Sequence, residues 1–289
     1  MAEVYLNGAF VPAERAQVSV MDRGFLFADG VYEVIPAYGG QPLGEAAHLD
    51  RLRNSLRGIR LPEPLSHAEW RDVFRRLLAG APGTDQAIYV QVTRGAAAVR
   101  DHRFPSDVEP TLFAMTKPLV PRDPALAERG VSAVVRDDIR WDRCDIKSIA
   151  LLAAVLLRQE AAEADAEETI LVRGGQVTEG ATSNVFIVRR GALITPPKSR
   201  RLLAGITREL VLELARGAGI DCEERPIDLA TLRSAEEVWL TSSTREVMPV
   251  TRLDGTPVGT ARPGPRWRRM NALYQELKAS VRKSVGAPI

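Results

Sequence analysis

Lys147 is an amine in a chain that otherwise avoids amines. Of 39 cationic residues, 34 are arginine and only Lys117, Lys147, Lys198, Lys278 and Lys283 are lysine. Only lysine has a primary amine that can lose its proton and condense with an aldehyde. It lies in Arg140-Trp141-Asp142-Arg143-Cys144-Asp145-Ile146-Lys147-Ser148, a polar stretch ahead of an alanine- and leucine-rich run. Taken alone, a lysine here also serves as a loop cap paired with Asp142 or Asp145, because most lysines are solvated. Glu179 follows in Val177-Thr178-Glu179-Gly180. A carboxylate beside a pyridine nitrogen keeps that nitrogen protonated and makes the ring an electron sink. Without such a partner, a turn glutamate is a surface residue.

Four further groups could hold anions. Gly205-Ile206-Thr207 opens a helix, and a helix start presents unpaired N–H groups that suit phosphate, with the threonine hydroxyl as an added donor. It also fits an ordinary N-cap. Ser242-Ser243-Thr244, after a strand, is a second cluster of hydroxyl donors. Arg51, early in the helix that begins His48-Leu49-Asp50-Arg51-Leu52, can bind phosphate bidentately or pair locally with Asp50. Arg100 and His102 stand two apart in a long loop. On an extended segment they point to one side and could clamp a carboxylate, or be solvated loop residues. The set comprises an amine, a carboxylate, two phosphate-type sites and a carboxylate clamp. These are the parts of a pyridoxal 5'-phosphate enzyme acting on amino acids.

The elements that must position these residues are legible in outline. Asn7-Gly8 between two apolar runs predicts a hairpin. Strands are predicted near Gly30–Pro36, Ala87–Thr93, Thr111–Met115, Val131–Val135 and Glu237–Thr241. Thr169–Arg173 and Asn184–Val188 read as paired strands separated by Gly174-Gly175. Apolar spacing predicts helices near His48–Arg60, His67–Leu78, Ile149–Ala164, from Gly205, and from Pro265 to Arg282. Lys117-Pro118-Leu119-Val120-Pro121-Arg122-Asp123-Pro124 has three prolines and is expected to be an interdomain linker, neither helix nor central strand. Strands and helices mix in both halves, so the fold class is α/β (α+β) with two domains, 1–119 and 120–289.

Composition narrows the function classes. A 289-residue chain, 45% hydrophobic and 26% charged, can build a sizeable core. A net charge of +2 argues for neither nucleic acid nor a membrane surface. The basic clusters at Lys198–Arg201 and Arg266–Arg269 read as solvated surface. Cys144 and Cys222 are too few for a disulfide framework or a zinc site, so no metal is expected. They are expected to be buried free thiols in a reducing cytoplasm. Met1-Ala2-Glu3-Val4 shows no basic region followed by an apolar run, so no signal peptide is expected there.

The chain resembles the fold-type IV pyridoxal-phosphate transaminases, most closely the D-amino acid aminotransferases, over almost its whole length. The segments that carry the resemblance are Asp22–Val34, His48–Leu52, Gln91–Gly95, Arg100–Pro105, Asp138–Ser148, Val177–Asn184 and Gly205–Arg208. The resemblance implies a small N-terminal α/β domain and a larger C-terminal pseudo-barrel domain that binds the cofactor. It implies Lys147 as the Schiff-base lysine and proton shuttle, and Glu179 as the partner of the pyridine nitrogen. Arg51, the backbone at Ile206 and Thr207, and Ser243 would hold the phosphate, and Leu203 would pack on the ring. Tyr32, Arg100 and His102 would form the carboxylate trap, with the Arg-x-His loop reaching across a homodimer. The reaction implied is ping-pong transfer of the amino group of a D-amino acid to a 2-oxo acid.

The chain departs from the family pattern at Arg245, where a small residue is more usual, and in the Arg94–Arg100 loop, which is one residue longer. Within the fold, a branched-chain L-amino acid transaminase, an (R)-selective amine transaminase and an aminodeoxychorismate lyase are alternatives. Arg100 and His102 argue against the amine enzyme, whose substrate has no carboxylate to clamp. A non-catalytic binding module would need no electron sink, so Lys147 together with Glu179 argues against it.

Overall fold

The computed structural model describes residues 3–121 and 123–283. Met1 and Ala2, where no leader is expected, and Arg122 of the proline-rich segment lie outside the described residues. The chain divides into two compact units. One takes in the described residues through Leu119, with Ile146–Ala150 and the described residues from Lys278. The other takes Val120–Asp145 and Leu151–Leu277. Lys147 therefore clusters with the first unit, although it follows that unit's last strand by almost thirty residues.

The first unit is built on an antiparallel sheet of β1 (Glu3–Leu6), β2 (Ala9–Pro12), β3 (Gly30–Tyr38), β4 (Gln41–Pro42), β5 (Gln86–Thr93) and β6 (Thr111–Pro118), in the order β2-β1-β6-β5-β3-β4. Asn7 and Gly8 close the first hairpin with φ of 48° and 89°, the paired positive values that a two-residue turn requires. Three helices accompany the sheet: α1 (Arg23–Phe27), α2 (Glu45–Gly58) and α3 (His67–Leu78). Ser66 and Glu69 form a capping box that starts α3 at the residue expected from the sequence. Leu49, Leu52 and Leu56 of α2 and Trp70, Phe74 and Leu77 of α3 share one core cluster with Ile35 and Ile88 of the sheet.

The segment read as a linker needs correction at its start. Lys117 and Pro118 end strand β6, paired with Ala87 and Gln86 of β5. β1 pairs only with Phe113 and Ala114 on the other side, so β6 is effectively an edge where the proline falls. A proline is tolerated there because no partner needs its missing N–H.

The second unit holds a nine-stranded sheet that curls into an open half-barrel. Its strands are β7 (Val131–Asp137), β8 (Glu168–Arg173), β9 (Gln176–Gly180), β10 (Asn184–Arg189), β11 (Ala192–Thr195), β12 (Cys222–Glu224), β13 (Glu237–Ser242), β14 (Glu246–Leu253) and β15 (Thr256–Pro257). The order is β12-β11-β10-β13-β14-β7-β8-β9, with β15 beside β14. With the sheet go α4 (Leu126–Arg129), α5 (Leu152–Glu163), α6 (Ile206–Gly217), α7 (Leu229–Arg233) and α8 (Pro265–Lys283) as far as Leu277, its last turns from Lys278 being counted with the first unit.

Two expectations change here. Thr169–Arg173 does not pair with Asn184–Val188. Gly174-Gly175 turns β8 back into β9, and β10 pairs with β11 and β13. The turn lies between β8 and β9, so the partner is the strand that follows at once, and Glu179 lies within that strand. The helix expected from Ile149 starts at Leu152, because Ser148 and Ile149 are drawn into extended pairing with Val31 and Gly30. Of the two free thiols, Cys144 is buried and Cys222 is half-buried.

Candidate active site

In the first unit, Lys147 is held through its backbone. Its carbonyl accepts from the Tyr32 amide at 3.0 Å, and its amide donates to Ser55 Oγ at 3.1 Å. Its neighbours Ser148 and Ile149 pair with β3. The side chain is thus aimed by two elements, β3 and α2, and its Nζ lies 4.1 Å from the centroid of the Tyr32 ring. Tyr32 stacks in turn on Tyr89 at 5.9 Å, and burial pushes the Tyr89 hydroxyl up to about 12.

Asp50 meets Arg53, and Arg51 turns to the sheet. It grips Glu33, a fully buried carboxylate one residue beyond Tyr32, through Nε at 2.7 Å and one terminal nitrogen at 2.8 Å. His48 Nδ1 reaches the same carboxylate at 2.8 Å. Burial alone would raise Glu33, but Arg51 and His48 outweigh it and hold the carboxyl well below its usual range. Burial, with help from Arg51 and Lys147, lowers His48 despite the pull of Glu33, which keeps the imidazole neutral near pH 7. Glu33 thereby fixes the rotamer of Arg51. Sequence reasoning missed Glu33 and His48. Their signal was a buried acid on the strand and a histidine one helical turn before the arginine.

Arg100 and His102 lie on a loop with no regular strand, so extended alternation does not place them. They meet instead on one ring. The Arg100 guanidinium is 4.7 Å from the Phe27 centroid, and the His102 ring is 5.0 Å from it.

In the second unit, Glu179 is not a surface residue but 4% exposed. Its Oε1 accepts from Arg140 at 2.5 Å, its Oε2 accepts from Asn184 Nδ2 at 3.1 Å, and the Leu203 amide reaches both oxygens at 3.1 Å. Arg140 is itself gripped by Asp138, which accepts from Thr178. Asn184 also donates to the Leu203 carbonyl at 2.9 Å. Burial raises the Glu179 carboxyl to about 7 even though Arg140 and Leu203 oppose it. Asp142 and Asp145, the alternative partners considered for Lys147, are engaged by Arg173 and Arg143. Sequence reasoning did not assign Asp138, Arg140 or Asn184, whose places beside Glu179 depend on strand pairing.

Helix α6 starts after Gly205, which supplies no side-chain cap. Arg208, buried in the first turn, ties that start down through the Pro196 carbonyl and Glu224. A Cβ at position 205 would lie 1.9 Å from Asn184 Oδ1, so only glycine lets the helix start come this close to the group holding Glu179. Thr207 is buried beside this start. Ser243 sits in the three-residue turn between β13 and β14. Arg245, in the same turn, donates to Glu168 and Thr182.

Each unit by itself holds donors that suit a part of pyridoxal phosphate. The first unit offers an amine and a fixed guanidinium. The second offers a buried carboxylate able to face a cationic ring nitrogen and a side-chain-free helix start suited to phosphate.

The Amino-transferase class IV family profile matches residues 30–253, and the chain belongs to this family. It is 38% identical to a D-alanine aminotransferase of Bacillus licheniformis, over 98% of this chain and 100% of that one. Among solved structures, a branched-chain amino acid aminotransferase from Escherichia coli superposes with a TM-score of 0.87 at 26% identity, covering 96% of this chain and 94% of that one. A hypothetical aminotransferase from Mycobacterium tuberculosis in its PLP-bound form gives 0.84 at 26% identity, covering 96% and 99%.

Proposed function

We propose that this protein is a pyridoxal-phosphate-dependent transaminase that moves the amino group of a D-amino acid to a 2-oxo acid by a ping-pong route. The proposal rests on Glu179, a buried carboxylate held by three donors with its pKa raised to about 7. A site that merely bound phosphate would have no use for it. When bound, the cofactor supplies an electron sink for the pair left behind when the substrate α-proton departs.

The roles follow residue by residue. Lys147 Nζ would hold the cofactor, and as an amine it would take the substrate α-proton as general base and give it back. The Tyr32 ring gives that amine a defined place. Glu179 would hold the ring nitrogen, and Arg140 and Asn184 hold Glu179. Arg51, the amides of Ile206 and Thr207, and Ser243 would hold the phosphate, and Leu203 would pack on the ring. Tyr32, Arg100 and His102 bind the substrate carboxylate.

Two lines favour a D-amino acid over a branched-chain L-amino acid. Arg100 and His102 share one ring, and identity to a D-alanine aminotransferase is 38%, against 26% for the branched-chain enzyme. Mixing the holoprotein with 2-oxoglutarate and matched D- and L-amino acids, and following keto acid formation, tests the assignment. Turnover with L-substrates alone would overturn it.

The working unit is a homodimer. Leu152, Val155 and Leu156 of α5 are 72%, 59% and 50% exposed, an apolar face of the kind that packs on a partner. Light scattering should report a dimer, and a Leu152→Glu/Val155→Asp variant should report a monomer. The cellular place is the cytoplasm, to which two free thiols are suited. Among the described residues, no helix is long and apolar enough to cross a membrane.

A further inference from the structure

The loop between β5 and β6 must hold Arg100 and His102 in a fixed relation without a strand or helix to do so. Both residues are exposed, and long exposed side chains lose binding energy to disorder unless their backbone is fixed. The loop is fixed from beneath by a residue distant in sequence. Arg23, first residue of α1, is 4% exposed. Its NH1 donates to the Asp101 carbonyl at 2.5 Å, and its NH2 donates to the His102 carbonyl at 3.3 Å. Two consecutive carbonyls, within and at the end of the Arg100-Asp101-His102 run, thus converge on one guanidinium. The amide of Arg23 donates to the Gly95 carbonyl at 2.9 Å, which ties down the start of the same loop.

Arg23 is fixed in its turn. Its Nε donates to Asp29 Oδ2 at 2.8 Å, and Asp29 also receives Arg94 at 2.8 and 3.0 Å. Arg94 continues to the Ile59 carbonyl, at the end of α2. Burial would raise the Asp29 carboxyl, but Arg94 and Arg23 together hold it below its usual value, so it stays ionised and keeps both guanidiniums in place. Phe27 completes the arrangement. Arg23 lies 4.8 Å from its ring centroid, and both Arg100 and His102 meet the same ring.

We infer that Arg23, braced by Asp29, is the positioning residue of the carboxylate clamp. It holds the Asp101 and His102 carbonyls so that Arg100 and His102 present to one side, and it sets affinity for the substrate carboxylate without touching substrate. The inference rests on the proposed clamp role of Arg100 and His102. A lysine at position 23 could keep the charge opposite Asp29 but lacks the planar fork that spans two carbonyls.

The test compares holoenzymes of wild type, Arg23→Met, Arg23→Lys and Arg100→Ala. It measures KM and kcat for D-alanine and 2-oxoglutarate, and cofactor affinity by titrating the cofactor-free protein. A misplaced clamp costs binding of every carboxylate substrate. Arg23→Met should therefore raise both KM values roughly 10- to 100-fold, with Arg23→Lys between it and wild type and kcat within about threefold. Cofactor affinity should not move, and trypsin should nick the loop after Arg100 or Arg103 faster than in wild type. If Arg23→Met does not fold, the KM and kcat of Arg23→Lys decide the matter. KM values within about twofold of wild type in the Arg23 variants, alongside a raised KM in Arg100→Ala, would overturn the positioning role but leave the clamp. An unchanged KM in Arg100→Ala would overturn the clamp and the positioning role with it. Parallel loss of kcat and cofactor affinity would show Arg23 to be a general structural residue and would also overturn the inference.

Discussion

Glu179→Gln in the cofactor-free protein should change the pH dependence of stability in a direction that burial dictates. The carboxyl is raised from 4.5 to about 7 because desolvation outweighs the Arg140 guanidinium. Over that window the folded chain keeps a proton that the unfolded chain has lost. Stability therefore falls as pH rises from about 4.5 to 7 and levels off above, with the full penalty present once the folded group ionises. At 1.36 kcal/mol per unit, a rise of about 2.5 units is worth about 3 kcal/mol. The side chain is 5% exposed, so solvent screening takes little from this figure. Glutamine stays neutral throughout and removes this contribution.

Urea unfolding of wild type and Glu179→Gln, each free of cofactor, at several values between about pH 5 and 8, gives the difference directly. Subtraction cancels the other titrating groups. Relative to wild type, the variant should gain about 3 kcal/mol across the range. A flat difference, or one of opposite sign, would mean that Arg140 rather than burial governs the group. The account of Glu179 as a carboxylate waiting for a cationic partner would then be wrong.

Lys147→Ala should abolish the borohydride-reducible link between protein and cofactor, read by mass spectrometry of the reduced chain, and a surviving link would name another lysine. Arg100→Ala should raise KM for D-amino acids roughly 10- to 100-fold with a smaller change in kcat, as loss of binding common to ground and transition states requires. Gly205→Ala drives a methyl to within 1.9 Å of Asn184 Oδ1. It should cost about 1–3 kcal/mol in denaturant unfolding and weaken cofactor retention through the displaced partner of Glu179.

Local structure was legible in the sequence where it depended on local signals. The Asn7-Gly8 hairpin follows from two residues that tolerate positive φ, and α3 follows from the apolar spacing of Trp70, Val73, Phe74 and Leu77. The roles suggested for Lys147, Glu179 and Thr207 came from residue types that few other chemistries need together. Features set by distant pairing were not legible. Glu33 looks like any strand glutamate until α2 brings Arg51 and His48 against it. Asp138, Arg140 and Asn184 surround Glu179 only because β9 and β10 fold beside the loop that carries Leu203. Pro118 argued against a strand, and only the shortness of β1 shows why the strand survives it. Arg23 lies 78 positions from the carbonyl it holds, and no spacing rule joins them.

The most direct test of the central claim is a single turnover with α-deuterated D-alanine and α-deuterated L-alanine on the holoprotein. Keto acid release and the cofactor spectrum are followed together, with the unlabelled compounds alongside. Removal of the α-proton by Lys147 from a D-amino acid held by Arg100 and His102 predicts conversion of D-alanine with a primary isotope effect, none in Lys147→Ala, and no conversion of L-alanine. Conversion of L-alanine at an equal or greater rate, or of D-alanine by Lys147→Ala, would contradict it.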